Sequence, residues 1–238
     1  MLPGMMCDHR LFAPQISALE AEYEIVVPLL DVPDSIVGMA RRILNEIESP
    51  AFNLLGLSMG GIVAMSMVGL APQRVKRLAL LDTNHKADSV ERIVIRNRQI
   101  ADVKSGKLRS VIKDEMKPNY LAKSHRNNQT LLNLLVNMAM DMGDERFVAQ
   151  SIALRDRADQ TQTFQNYSGP SLVLCGDEDS LCPPGQHIQM AEYLSHSTFR
   201  MIENCGHIST LEQPEAVNVA VLEWLTLAVA QPLELPPT

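Results

Sequence analysis

Three side chains in this 238-residue sequence combine into a set that can transfer acyl groups: Ser58, Asp179 and His207. An alcohol is a poor nucleophile at neutral pH, so a reactive serine needs a base within hydrogen-bond reach. Imidazole, titrating near about 6.5, can take that proton and later hand it to a leaving group. A buried carboxylate then fixes the imidazole tautomer and balances the transient imidazolium. Taken singly, each residue reads equally well as a loop residue, and a lone Gly-x-Ser-x-Gly is a common turn. The weight comes from where the three fall.

Ser58 lies in Gly56-Leu57-Ser58-Met59-Gly60-Gly61, after an apolar run at 52–55 and before an apolar, small-residue run at 61–70. The first run reads as a buried strand and the second as a buried helix, which puts Ser58 on a sharp strand-to-helix turn. Gly56 and Gly60 let the two elements pass closely, and the helix N-terminus points free N–H groups at the serine. Asp179 follows an apolar run in Cys175-Gly176-Asp177-Glu178-Asp179-Ser180, and His207 follows another in Asn204-Cys205-Gly206-His207. In a parallel sheet, ligands bind beyond the carboxyl ends of the strands, where all three side chains fall. Asp177, Glu178 and Asp82 are the other candidates for the acid. Asp179 is preferred because Gly176 ends the strand and three further residues let the chain curl toward the His207 loop. The remaining histidines, His9, His85, His125, His187 and His196, read as surface or packing residues. Acyl transfer also needs a second backbone donor from a loop after an earlier strand. Pro3-Gly4-Met5-Met6 is placed to give one, so the Met5 N–H would join that of Met59.

The positioning elements follow from periodicity. Helices are predicted at 11–21 with Leu11, Ile16 and Leu19 inward, from Asp34 or Ser35 to about 48, and at 61–70. Strands are predicted at 24–30, 52–55, 75–81, 170–175 and 199–202. Residues 187–194 read as a helix, and so do 215–229, with Val217, Val221, Leu222, Trp224 and Leu225 inward. Between 85 and 167 the sequence is amphipathic and charged, with helical spacing at 90–103, 108–116 and 129–142 and no strand-like run. Alternating strands and helices imply an α/β fold with a mostly parallel sheet covered on both faces. Residues 1–84 and 168–238 form the core, and 85–167 form a helical insertion. The Pro-rich tail at 231–238 reads as frayed.

Composition excludes several alternatives. The chain is 46% hydrophobic and 21% charged with net charge −7, and it has no basic cluster for nucleic acid. No apolar run approaches the roughly 20 residues of a membrane span, and no signal peptide is visible at the N-terminus. The four cysteines lack metal-ligand spacing. Free thiols in the cytoplasm, with no metal and no organic cofactor, are expected.

Leu2-Pro3-Gly4, Gly56-Leu57-Ser58-Met59-Gly60-Gly61, Leu78-Ala79-Leu80-Leu81-Asp82-Thr83, Leu174-Cys175-Gly176-x-x-Asp179 and Gly206-His207-x-x-x-x-Glu212-x-Pro214-Glu215 together resemble the α/β-hydrolase superfamily. The likeness spans nearly the whole chain and includes the order Ser, Asp, His. It is greatest to small bacterial esterases related to enol-lactone hydrolases, which carry a helical cap. Two departures stand out. The loop has Pro-Gly where many such enzymes have His-Gly. Related proteins also have one or more strands before this loop, the last lying between the 24–30 and 52–55 strands, and this chain starts too late to supply a full one. The resemblance implies a serine hydrolase of a small ester, lactone or thioester. A cofactor-free lyase or perhydrolase would use the same three groups, and a non-catalytic binding protein could keep the fold. Helix 129–142 carries Leu131, Leu132, Leu134, Leu135, Met138, Met140 and Met142, more than one core stripe needs. The excess would face a small-molecule substrate, the core or a second copy in a homodimer. With only 4% aromatic residues, no aromatic cage for a ring substrate is evident.

Overall fold

The computed structural model describes residues 1–31 and 34–229. Four strands, β1 (Phe52–Leu57), β2 (Val75–Leu81), β3 (Ser171–Gly176) and β4 (Ser197–Ile202), form one sheet in the order β1-β2-β3-β4, each pair parallel. The last four residues of β1 and of β2 and all of β3 are buried. Such unbroken apolar runs are what parallel strands covered on both faces require. β4 closes one edge and is largely half-exposed or exposed.

Helices α2 (Ile36–Glu46), α3 (Met59–Leu70) and α8 (Pro184–Tyr193) lie on one face of the sheet. Helix α10 (Pro214–Thr226), with α1 (Ala13–Leu19) against it, covers the other. Ser35, one of the two caps considered, begins α2 by accepting the Gly38 N–H at 3.1 Å. Between β2 and β3 the chain forms no strand. It holds α4 (Val90–Lys104), α5 (Leu108–Ser110), a π-helical turn at Val111–Met116, a 3₁₀ turn at Lys117–Asn119, α6 (Gln129–Arg155) and α7 (Thr161–Gln165). A short helix α9 (Ser209–Glu212) precedes α10.

Several expectations need correction. Residues 24–30, expected as a strand, form no ladder. Residues 1–2 lie between them and β1. Leu2 bridges Gly56 in parallel, its N–H reaching Leu55 O at 2.7 Å, and the Met1 ammonium donates to Val26 O at 2.7 Å. A cleft of about 780 Å³ runs alongside, lined by Tyr23, Ile25, Phe52, Leu54 and Trp224 among others, and none of Ser58, Asp179 and His207 lines it. The helix expected at 129–142 runs on to Arg155 through a kink at Gly143, whose φ of 80° only glycine adopts freely. The helix expected at 108–116 is one α-turn followed by π-helical winding. Leu222 is exposed, not inward, because the sheet-facing stripe of α10 is Val217, Ala220, Val221 and Trp224, spaced 3, 4 and 7. The tail at 231–238 lies outside the described residues.

Candidate active site

Ser58 occupies the single residue between β1 and α3, with φ 54° and ψ −118°. That strained conformation is held from both sides. The Ser58 N–H donates to Leu81 O at 2.9 Å, and the Thr83 hydroxyl donates to Ser58 O at 2.7 Å. The glycines are sterically required. A β-carbon on Gly56 would lie 2.4 Å from Gly60 O, and one on Gly60 would lie 2.0 Å from Leu2 O.

The three side chains singled out from the sequence meet. His207 Nε2 is 2.9 Å from Ser58 Oγ, and its Nδ1 is 2.8 Å from Asp179 Oδ2. Both His207 and Asp179 are nearly solvent-free. Asp179 Oδ1 accepts the N–H groups of Leu181 and Cys182, each at 2.9 Å, so the carboxylate is oriented from behind. The rival acids lie elsewhere. Asp177 accepts the Cys205 N–H, and Glu178 accepts the Lys123 N–H. Asp82 accepts the Gly176 N–H on one oxygen and the Ser209 N–H and hydroxyl on the other. It therefore ties the loops bearing Asp179 and His207 to the end of β2.

The electrostatics suit a base. Burial raises the Asp179 carboxyl, but the charge and hydrogen bond of His207, with the Cys182 N–H, bring it below its ordinary value. Burial would lower the His207 imidazole, yet the Asp179 charge and hydrogen bond, helped by Asp82, hold it above its ordinary value. Asp82 is pushed up to about 8, first by burial and then by the nearby Asp179 charge. Asp179, Cys182 and His207 bring possible metal ligands within 4.8 Å of one another. Asp179 and His207 already satisfy each other there, however, and burial drives the Cys182 thiol far up, against the thiolate a metal needs.

The two backbone donors expected near Ser58 are free. Neither the Met5 nor the Met59 N–H has an acceptor among the described residues. Gly4 to Cys7 form a turn closed by Cys7 N–H to Gly4 O at 3.2 Å, with Met6 at φ 55°. Gln150 of α6 holds this turn by accepting the Met6 N–H at 2.8 Å, while its amide nitrogen donates to Leu30 O.

Sequence reasoning missed Gln150 and gave Glu212 no role. A glutamine among Phe147, Ala149, Ala153 and Leu154 was the available signal for the first. Glu212 is wholly buried at its side chain. One oxygen accepts the Gly206 and Ile208 N–H groups at 3.0 and 3.3 Å. The other accepts the Ala122 N–H at 2.8 Å and meets His125 Nδ1 at 3.1 Å. His207 N–H donates to Tyr120 O at 2.7 Å beside it. Glu212→Gln would turn an amide donor toward one of these donor groups. It is expected to cost about 2–4 kcal/mol of stability and to lower the turnover rate, as checked by urea unfolding and steady-state kinetics.

Of the other histidines, all expected as surface or packing residues, His125 is instead a partner of the buried Glu212 carboxylate. His9 and His196 are exposed. His187 is buried, accepts the Thr83 N–H at 2.9 Å and is lowered to about 4 by burial. His85 is wedged edge-on between Phe164 and Tyr193.

Known proteins carry the same arrangement of elements. A thermophilic esterase from Thermogutta terrifontis superposes with a TM-score of 0.84 and 28% identity, over 94% of this chain and 87% of that one. The (E)-2-((N-methylformamido)methylene)succinate hydrolase of Acinetobacter baylyi is 25% identical over 94% of this chain and 89% of its own length. The dihydrolipoyllysine-residue acetyltransferase component of the acetoin cleaving system of Pseudomonas putida is 25% identical over 87% of this chain, which spans 58% of that protein. No helix among the described residues is long and apolar enough to cross a membrane. The sequence pattern of the alpha/beta hydrolase family matches residues 9–220, from the first helical turn to the last helix, and the chain belongs to that family.

Proposed function

We propose that the protein is a serine hydrolase of small carboxylic esters, lactones or thioesters, with residues 85–167 as a cap over the site. The observation that carries this reading is the unbroken Asp179–His207–Ser58 relay, at 2.8 and 2.9 Å, on a strained turn at a helix N-terminus. His207 Nε2 takes the proton of Ser58 Oγ as that oxygen bonds the carbonyl carbon. The oxyanion then accepts from the Met5 and Met59 N–H groups. The bond to the leaving group breaks as Nε2 returns the proton to it, leaving an acyl-serine. Water, deprotonated by the same nitrogen, attacks the acyl-serine, and the bond to Ser58 Oγ breaks as Nε2 returns that proton to it, releasing the acid. Four free buried cysteines support a cytoplasmic setting.

Labelling by a fluorophosphonate probe, followed by an ester panel on the same sample, tests the reading. A lyase using these groups only as a base would leave no acyl adduct in a mass spectrum taken during turnover. The pH profile gives a second check. The reactive imidazole is neutral, so kcat/KM is expected to rise with pH through an apparent pKa above the ordinary value of about 6.5. A limb centred below 6 would show that Asp179 does not hold the His207 proton as described.

A further inference from the structure

Lys117 is fully buried. It makes no ion pair with a carboxylate among the described residues. Its ammonium meets the Cys7 sulfur at 3.9 Å and the face of Tyr120 at 4.5 Å from the ring centroid. Cys7 does not supply the missing charge. Burial holds its thiol above the ordinary value despite the lysine, and it donates to Met5 O at 3.5 Å. An ammonium removed from water without an anion is among the costlier arrangements a fold can hold.

Its neighbours belong to the reactive loops. The Tyr120 ring stands edge-on to His207 with centroids 5.3 Å apart, and Cys7 closes the turn that presents the Met5 N–H. A second buried cation flanks the same turn, since Arg96 Nη1 lies 3.9 Å from Met5 Sδ. Arg96 and Arg157 share the one carboxylate of Asp88, which leaves that cluster a positive charge in excess. A chain of net charge −7 thus turns uncompensated cations toward its candidate catalytic loops.

We propose that Lys117, with Arg96 against the same turn, is an anion subsite, and that the substrate is an ester or lactone bearing a free carboxylate apart from its scissile carbonyl. This rests on the hydrolase reading above. The flexible four-carbon stem of the lysine lets its head leave sulfur and ring for a substrate carboxylate.

The test compares mono-p-nitrophenyl glutarate with p-nitrophenyl hexanoate, on the wild type, Lys117→Met and Lys117→Arg. The ratio of kcat/KM for the charged over the neutral ester is expected to fall by about 30-fold or more in Lys117→Met and to be largely kept in Lys117→Arg. Lys117→Met is also expected to melt no lower than the wild type, because an unpaired buried charge has gone. Free glutarate should slow fluorophosphonate labelling of the wild type and not of Lys117→Met. An unchanged ratio with glutarate protection retained in Lys117→Met overturns the subsite. So does loss of fold in both variants, which marks the lysine as structural. If neither ester is cleaved and nothing is labelled, the hydrolase reading has failed. Calorimetry of glutarate binding to wild type and Lys117→Met then decides the subsite alone, and equal binding or none rejects it.

Discussion

Ser58→Ala is expected to abolish ester hydrolysis, by about 10⁶-fold in turnover from the behaviour of comparable triads, and to abolish fluorophosphonate labelling. The fold should survive. Among the described residues Ser58 Oγ has His207 Nε2 as its one hydrogen-bond partner, and the turn is held by the Ser58 backbone through Leu81 O and Thr83 Oγ1. Ser58→Gly supplies an internal control. It should be just as inactive, yet more stable than the alanine variant by about 1 kcal/mol, since glycine adopts a φ of 54° without steric cost. Thermal melts of the two variants beside the wild type check both statements. Labelling that persists on another serine would remove Ser58 from the reaction.

Asp179→Asn is the second large effect, and the local hydrogen bonds dictate its form. Oδ1 faces two backbone donors, the Leu181 and Cys182 N–H groups. An asparagine must place its carbonyl oxygen there, because its NH₂ group would meet them donor to donor. The NH₂ therefore faces His207 Nδ1, now 2.8 Å from Oδ2, and can only donate to it. That drives the imidazole proton to Nε2, the nitrogen facing Ser58. A protonated Nε2 cannot take the serine proton, and turnover should fall by about 10⁴. Stability should change little, since shape and volume are kept. The tautomer is readable by ¹⁵N NMR of the two ring nitrogens. An Asp179→Asn enzyme within tenfold of wild type would assign the orienting role elsewhere, with Asp82 the next carboxylate to test.

The reactive geometry was legible because it follows from local chemistry. Glycines at 56 and 60, an apolar strand before Ser58 and strand ends before Asp179 and His207 each leave a mark in sequence. The choice of Asp179 over Asp177, Glu178 and Asp82 came from counting how far a loop can curl beyond Gly176. What stayed hidden depends on partners distant in the chain. Gln150 reaches the Met6 N–H across 144 residues, and Glu212 reaches the Ala122 N–H across 90. Residues 24–30 have the composition of a strand, but a strand also needs a neighbour, and composition is silent about whether one is there. The run of α6 through Gly143 was missed for the opposite reason. A glycine beside Asp144 and Glu145 reads as a stop, yet the buried stripe resumes at Phe147.

The hydrogen bonds around Glu212 limit how residues 120–122 can change. Tyr120 O carries the His207 backbone, and one carboxylate grips both the Ala122 N–H and the loop around His207. A variant that reshapes residues 120–122 therefore also disturbs the loop that carries His207. Selection acting on residues 120–122 should therefore find dead ends unless Glu212 and the groups it holds change together.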